Sequence, residues 1–370
     1  MRRARRSLRS SAPTSSPETT ALALLAHIRQ LDFGWRLGIS EQEAAAHYRA
    51  GRELALRSGD RANKLFVTAV YANVRGLAGH VEEYGKLGEE VNRLSLEIGD
   101  PALRIAALAF PISSRLVRGR LGDALALAEE GIALGARDPA LGVGVAPFNC
   151  PYAFCLLMKG LLLCTMGQLE ESALEADRAL RVAQEQGDLE TQGWTHTLYV
   201  HLARYTGRTE TVLAHATQAH EIAERVGSAF SRVSSLYYLG YARLMLGETG
   251  EAIAAIERSL ELAREARTGL EYEAAHVAGL SEALLSAGDH VRALEAAEES
   301  VTLALQLGNE AILPTCHRVM AEALLASEDP GRIAAAQEAL DNATAAVQAT
   351  GAPVELPFIE RAREKLIPVG

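Results

Sequence analysis

The 370-residue chain has few cysteines, few lysines, few aromatic residues and no long apolar run, and each shortage removes a class of function. Its four cysteines (Cys150, Cys155, Cys164 and Cys316) form no CxxC pair and sit in apolar helical contexts. That excludes a disulfide framework and a thiolate metal site, and it leads us to expect a reducing, cytoplasmic setting. The longest apolar candidate, "YAFCLLMKGLLLCTM", is too short to span a bilayer and is broken by Lys159, so no membrane partner is expected. Basic charge is scarce as well. The formal net charge is −10, and five arginines lie within the first nine residues, which leaves the rest more acidic still. An acidic body is a poor match for a phosphate backbone, so no nucleic-acid partner is expected.

Catalytic patterns are missing in the same way. No GxxxxGK[ST] phosphate cradle occurs, and Gly142-Val143-Gly144 lacks the third glycine and the preceding strand of a dinucleotide loop. No GxSxG elbow is present, and Cys316 and His317 are chain neighbours that point apart on a helix. His196 and His201, like His215 and His220, are five residues apart, about 140° around a helix, which argues against shared coordination. The expectation is a protein with no catalytic residues, no metal and no cofactor.

What the chain does have is alanine, leucine and a glycine rhythm. Gly59, Gly99, Gly187, Gly227, Gly308 and Gly351 each follow a run of helix formers, and most precede Asp, Asn or Ser. Glycine takes the left-handed conformation that ends a helix, and the next side chain can cap the following one. Asp100-Pro101 fits best, since proline suits the first helical position. A second series, Gly79, Gly119, Gly167, Gly207, Gly247 and Gly288, lies midway, at spacings of 40, 48, 40, 40 and 41. Each unit therefore reads as helix, tight turn, helix, capped turn. In "GETGEAIAAIERSLELAREA" the apolar residues Ala252, Ile253, Ile256, Leu260 and Ala263 recur at three- and four-residue steps. No segment alternates as a strand would.

The fold class expected is all-α: a right-handed α-solenoid superhelix of about seven to eight antiparallel helix pairs with a period of about 40. The expected division is a disordered basic arm over 1–17, the repeat array over 18–351, and a capping helix and tail over 352–370. Residues 136–147 lengthen one connection and could bend the superhelix.

The residues of these units resemble tetratricopeptide repeats. The matching positions are Leu239-Gly240, Gly247, Ala252-Ile253, Ile256 and Leu260 in one unit, and Leu280, Gly288, Ala293-Leu294 and Ala297 in the next. Gly160, Gly167, Ala179 and Leu180 match in a third. The usual repeat is about 34 residues, so these hairpins are longer by roughly 9 Å of helix axis. The longer repeat is similar to the C-terminal arrays of bacterial multidomain signalling proteins, in which a cyclase and an ATPase, or an ATPase and a DNA-binding module, precede the array.

The resemblance implies that the first helix of each pair lines a concave groove. Counting back from the turn glycines then selects Phe154, Trp194, His201, Arg204, Tyr205, Tyr237 and Tyr241 as groove residues, with a polar stretch of Glu282, Arg318 and Glu322 beyond. The same residues also fit packing between neighbouring units. Only Arg204 and Arg318 could serve a carboxylate clamp of the kind that holds chaperone tails. The function implied is a non-catalytic scaffold binding a peptide or helix of a partner protein, in bacterial signalling or regulation. The alternative is a module that senses a small ligand or peptide and acts on, or is detached from, a nucleotide cyclase, ATPase or transcription factor.

Overall fold

In a computed structural model, which describes residues 16–145, 150–327 and 329–366, helices follow one another in pairs. They are α1 (Pro17–Leu37), α2 (Glu41–Ser58), α3 (Arg61–Leu77), α4 (Val81–Ile98), α5 (Pro101–Ala107), α6 (Ala109–Val117), α7 (Leu121–Gly135), α8 (Pro151–Thr165) and α9 (Leu169–Glu185). They continue as α10 (Leu189–Thr206), α11 (Val212–Val226), α12 (Ala229–Met245), α13 (Thr249–Ala266), α14 (Glu273–Ser286), α15 (His290–Leu307), α16 (Leu313–Ala326), α17 (Ile333–Thr350) and α18 (Leu356–Glu364). Among the described residues there is no strand. No described helix is long and apolar enough to cross a membrane. Most of the basic arm anticipated over 1–17 lies outside the described residues, as do 146 and 147 of the long connection.

The local chemistry is the one the glycine rhythm announces. Asp100 accepts from the backbone N–H groups of Ala102 and Leu103 at 2.8 and 3.0 Å, with Pro101 opening α5. Asp60, Asp188 and Ser228 cap α3, α10 and α12 in the same way. One helix is split: α5 ends at Ala107 and α6 begins at Ala109. Pro111 has no N–H to give the carbonyl of Ala107 four residues back, and its ring crowds that carbonyl. Taken together α5 and α6 are one first helix, which makes eight pairs (α1/α2, α3/α4, α5–α6/α7, α8/α9, α10/α11, α12/α13, α14/α15 and α16/α17) closed by α18. The long connection after α7 lies back on α5, where Gly142 approaches the carbonyl of Ala102 and the side chain of Ile105.

Each pair hides its apolar stripe against its neighbours, and alanine makes the spacing close: Ala176, Ala179, Ala216, Ala252, Ala293, Ala297 and Ala343 are fully buried. The stack also winds back on itself. α1 touches α12, α3 touches the 3₁₀ turn Leu270–Tyr272, α6 touches the 3₁₀ turn Glu310–Ile312, and α8 touches the 3₁₀ turn Pro353–Glu355. Gly119 shows why a turn glycine suits this contact. Its φ is +69°, and a Cβ there would meet Thr350 Cγ2 at 2.7 Å and Glu310 Cβ at 3.1 Å. Ion pairs cross the same seam: Arg36 of α1 reaches Glu190 of α10 at 2.9 Å, and Arg267 reaches Glu41. The first helices of the pairs therefore face an interior cavity instead of a trough open along the whole stack.

Candidate functional site

The cavity measures about 260 Å³, and its wall draws on every first helix from α1 to α16, on α4, and on the three 3₁₀ turns. Its backbone is a run of edge-to-face aromatic contacts. Phe154 of α8 meets Trp194 of α10 with ring centroids 6.1 Å apart, Trp194 meets Phe230 of α12 at 6.0 Å, and Phe230 meets Trp35 of α1 at 6.4 Å. The series runs from the fourth pair to the sixth and then across the seam to the first. Each such contact adds about 0.5–1.5 kcal/mol beyond the area it buries, so it both closes the coil and shapes the wall. Tyr237 stacks on His276 at 4.1 Å, completing the aromatic side.

Two polar poles interrupt the apolar wall. One is a buried ionic network. Arg318 of α16 is 1% exposed, and its guanidinium reaches Glu355 at 2.7 Å, Glu282 at 2.6 Å and Glu322 at 2.7 Å. Arg204 of α10 reaches Glu282 at 3.0 Å, the Tyr205 hydroxyl donates to Glu355 at 2.9 Å, and the Tyr241 hydroxyl donates to Glu282. Burial works to raise the pKa of Glu355, but Arg318 and then Arg204 outweigh it and hold the carboxyl down to about 2. Glu282 is likewise held below its ordinary range, against burial, by Arg204 and Arg318.

The other pole consists of Glu271 and Asn309. Glu271, 3% exposed, has an Oε2 with no hydrogen-bond partner, and so does Oδ1 of Asn309, 2% exposed. The Asn309 amide nitrogen donates to the backbone carbonyl of Glu271 at 2.6 Å, which settles which end of the amide is the acceptor. Burial pushes the Glu271 carboxyl up to about 8. His276 and His201 on the same wall are pushed down by burial, to about 3 and about 4 respectively, so neither carries charge near neutrality.

The residues selected by counting from the turn glycines divide into two groups. Phe154, Trp194, His201, Arg204, Tyr205 and Tyr237 line the cavity. Tyr241, Glu282, Arg318 and Glu322 do not; they lie behind the wall as members of the ionic network. Arg204 and Arg318, the two arginines available for a carboxylate clamp, are both engaged by glutamates of the chain itself. Trp35, Phe230, Glu271 and Asn309 were not singled out by the sequence. Asn309 follows a helix-ending glycine and reads as a cap, yet its side chain makes no cap hydrogen bond and turns to Glu271 instead.

A signal for Glu271 does exist. The helix-ending series runs 187, 227, 308, and the residue on the missing beat is Arg267. Arg267 takes the left-handed conformation that glycine takes elsewhere (φ +51°), and it is the one non-glycine residue with positive φ among those described. Gly269 follows at φ +72° and delivers Glu271 to the wall.

The histidines pair across helices rather than along one. His196 and His215 approach through their Nδ1 atoms at 2.9 Å, and His27 and His47 do so at 3.0 Å. Among the described residues no cluster of three or more side chains suited to a metal occurs. The thiols of Cys155, Cys164 and Cys316 are pushed up to about 12 by burial, out of the range of a reactive nucleophile.

The model of one protein family, anaphase-promoting complex subunit 5, matches residues 132–206, 223–283 and 267–328, so that one model fits successive stretches of the array. No curated protein matches the sequence. Among solved structures, a Rap protein complexed with Competence and Sporulation Factor is similar with a TM-score of 0.59 at 13% identity, over 94% of this chain and 99% of that one. The Cut9–Hcn1 hetero-tetramer of the APC/C gives a TM-score of 0.57, also at 13% identity, over 94% of this chain and 56% of that one. Identity at this level speaks to fold alone. With its paired helices, its repeat of about forty residues and these neighbours, the chain is an α-solenoid of the tetratricopeptide-repeat type.

Proposed function

We propose that the protein is a non-catalytic binding module whose central cavity receives a short segment of a partner protein or a free peptide, in the service of signalling or regulation. The observation that carries this reading is the cavity itself. It is apolar and aromatic, it is built by the first helices of successive pairs, and it holds a few convergent polar groups at its two poles. A guest that fills it meets a preformed wall, which lowers the ordering cost of binding. The likeness over nearly the whole length to a Rap protein solved with a Competence and Sporulation Factor supports the same reading.

The sensor reading gains from one observation. At about 260 Å³ the cavity sits just below the usual range of about 300–1,000 Å³ for ligand sites, which suits a guest of a few residues or a small molecule better than a helix. The test is selection of binders from a displayed linear peptide library on the full chain, followed by the cavity-filling variant Ala275→Trp, at a residue of α14 that lines the cavity. Selected peptides are expected to lose at least about tenfold in affinity to that variant while its melting temperature stays within a few degrees. Unchanged affinity would place the guest on an outer surface and overturn the reading.

A further inference from the structure

We propose that the Glu271–Asn309 pole is the site for an ammonium group carried on an apolar body, either a small primary amine or the free N-terminus of a short apolar peptide. The proposal rests on the reading of the cavity as the guest site, and it names the chemistry that the guest must bring.

Two buried acceptors on the cavity wall lack donors. Glu271 Oε2 and Asn309 Oδ1 are both buried, both belong to residues lining the cavity, and neither has a hydrogen-bond partner. Buried polar atoms are nearly always satisfied, so a pair left open beside one cavity is a place where a donor-bearing guest would complete the hydrogen bonding. Their positions are fixed by the chain. Asn309 is anchored through its amide nitrogen to the Glu271 backbone, and Glu271 is set by the left-handed residues Arg267 and Gly269. An ammonium group offers three donors and can serve both acceptors at once. The aromatic rings of Tyr84 and Tyr272 on the same wall suit a guest with an apolar body, whereas the Trp35 ring already carries the guanidinium of Arg36 at 4.0 Å.

Charge points the same way. No Lys, Arg or His forms an ion pair with Glu271 among the described residues. The phenols that face it, Tyr84 and Tyr272, are pushed above their ordinary range by burial and stay neutral. Arg75 on the adjoining α3 is engaged by Glu41 and Glu83. Glu273 of α14 is engaged by Arg264. His201 and His276 are neutral, and Arg204 is held at the far pole by Glu282. This end of the cavity therefore faces an acid with no counter-charge among the described residues. When an ammonium enters, the carboxyl ionises, its proton passes to the buffer, and the ligand keeps its own charge.

The experiment is isothermal titration of the full chain with 2-phenylethylamine, with its N-acetyl derivative, and with the tripeptide Leu-Phe-Leu bearing a free or an acetylated N-terminus. Each titration is run near neutral pH in two buffers of different ionisation enthalpy. The expected result is binding of a free-amine probe at least about tenfold tighter than its acetylated form, with release of close to one proton. Glu271→Gln is expected to weaken that binding by about tenfold or more and to abolish the proton release, with the melting temperature kept or raised. Whether the amine or the peptide binds tighter tells the two sources apart.

Equal binding of free and acetylated forms, no proton release, an unaffected Glu271→Gln variant, or no binding of either free amine would each overturn the proposal. Library peptides that are sensitive to Ala275→Trp but indifferent to N-terminal acetylation would sink this inference and leave the cavity reading standing.

Discussion

Glu271 and Glu355 occupy the same place in two repeats, four residues past the left-handed residue that ends the preceding second helix (Arg267 in one, Gly351 in the other). Both lie in or beside a 3₁₀ turn, both are nearly inaccessible, and both line the cavity. Their fates are opposite. Glu355 accepts hydrogen bonds from Arg318 and Tyr205, has Arg204 at 3.8 Å, and is held to about 2. Among the described residues no cation forms an ion pair with Glu271, and burial raises it to about 8. The backbone puts a carboxylate on the wall in each case, and only the neighbours decide whether it is structural or open to a guest. An ion pair satisfied from within is closed to ligands, whereas an unsatisfied acid beside a cavity is an invitation.

Removing the cation should produce the largest effect. Arg318→Met keeps most of the volume but leaves Glu355, Glu282 and Glu322 buried without their shared partner, and it is expected to cost about 3–5 kcal/mol in urea unfolding. A loss below about 1 kcal/mol would mean that the network is better hydrated than its burial implies.

The next effect sharpens the comparison through pH. Glu271 has a folded pKa above its ordinary 4.5, so it favours the folded state at low pH, and that contribution is lost as pH rises from about 4.5 to about 8. Glu355 has a folded pKa below 4.5, so its contribution is present above 4.5 and is lost as pH falls toward about 2. Glu271→Gln should therefore gain on the wild type between those limits, by up to a few kcal/mol on the alkaline side. A constant difference in melting temperature from pH 4 to pH 9 would contradict an unpaired Glu271.

The smallest effect concerns the missing glycine. Arg267→Gly relieves a left-handed strain of about 1–2 kcal/mol, but it loses the half-exposed contact to Glu41 and gains chain entropy in the unfolded state. The net change in melting is expected to stay within about 1 kcal/mol. A larger loss would show that the seam between turns of the coil depends on this one contact.

The fold was largely legible, because glycine rhythm, caps and apolar periodicity are all local. Asp100 with Pro101, and the two glycine series, place nearly every helix boundary by chemistry confined to a few residues. Counting from the turn glycines also set the phase of the first helices, which is why Phe154, Trp194, Tyr205 and Tyr237 lie on the wall. What escaped depends on distance along the chain. Arg318 and Glu282 look like a polar groove until Glu355, from beyond the last regular pair, joins them by pairing with Arg318. Trp35 joins the wall only because the coil returns to its first pair. Asn309 reads as one more cap, since nothing near it in the sequence announces the carbonyl of Glu271, 38 residues earlier. The one local trace was an arginine where the rhythm called for glycine.

The most direct test of the account is the protonation state of Glu271 in the empty protein. Difference infrared spectra of the wild type minus Glu271→Gln, taken from about pH 5 to about pH 9, isolate the carbonyl stretch of a single buried acid. The expected result is a protonated-carboxyl band that disappears with a midpoint near 8 and is missing from the variant. A carboxylate already ionised at pH 5, titrating near the ordinary 4.5, would contradict it.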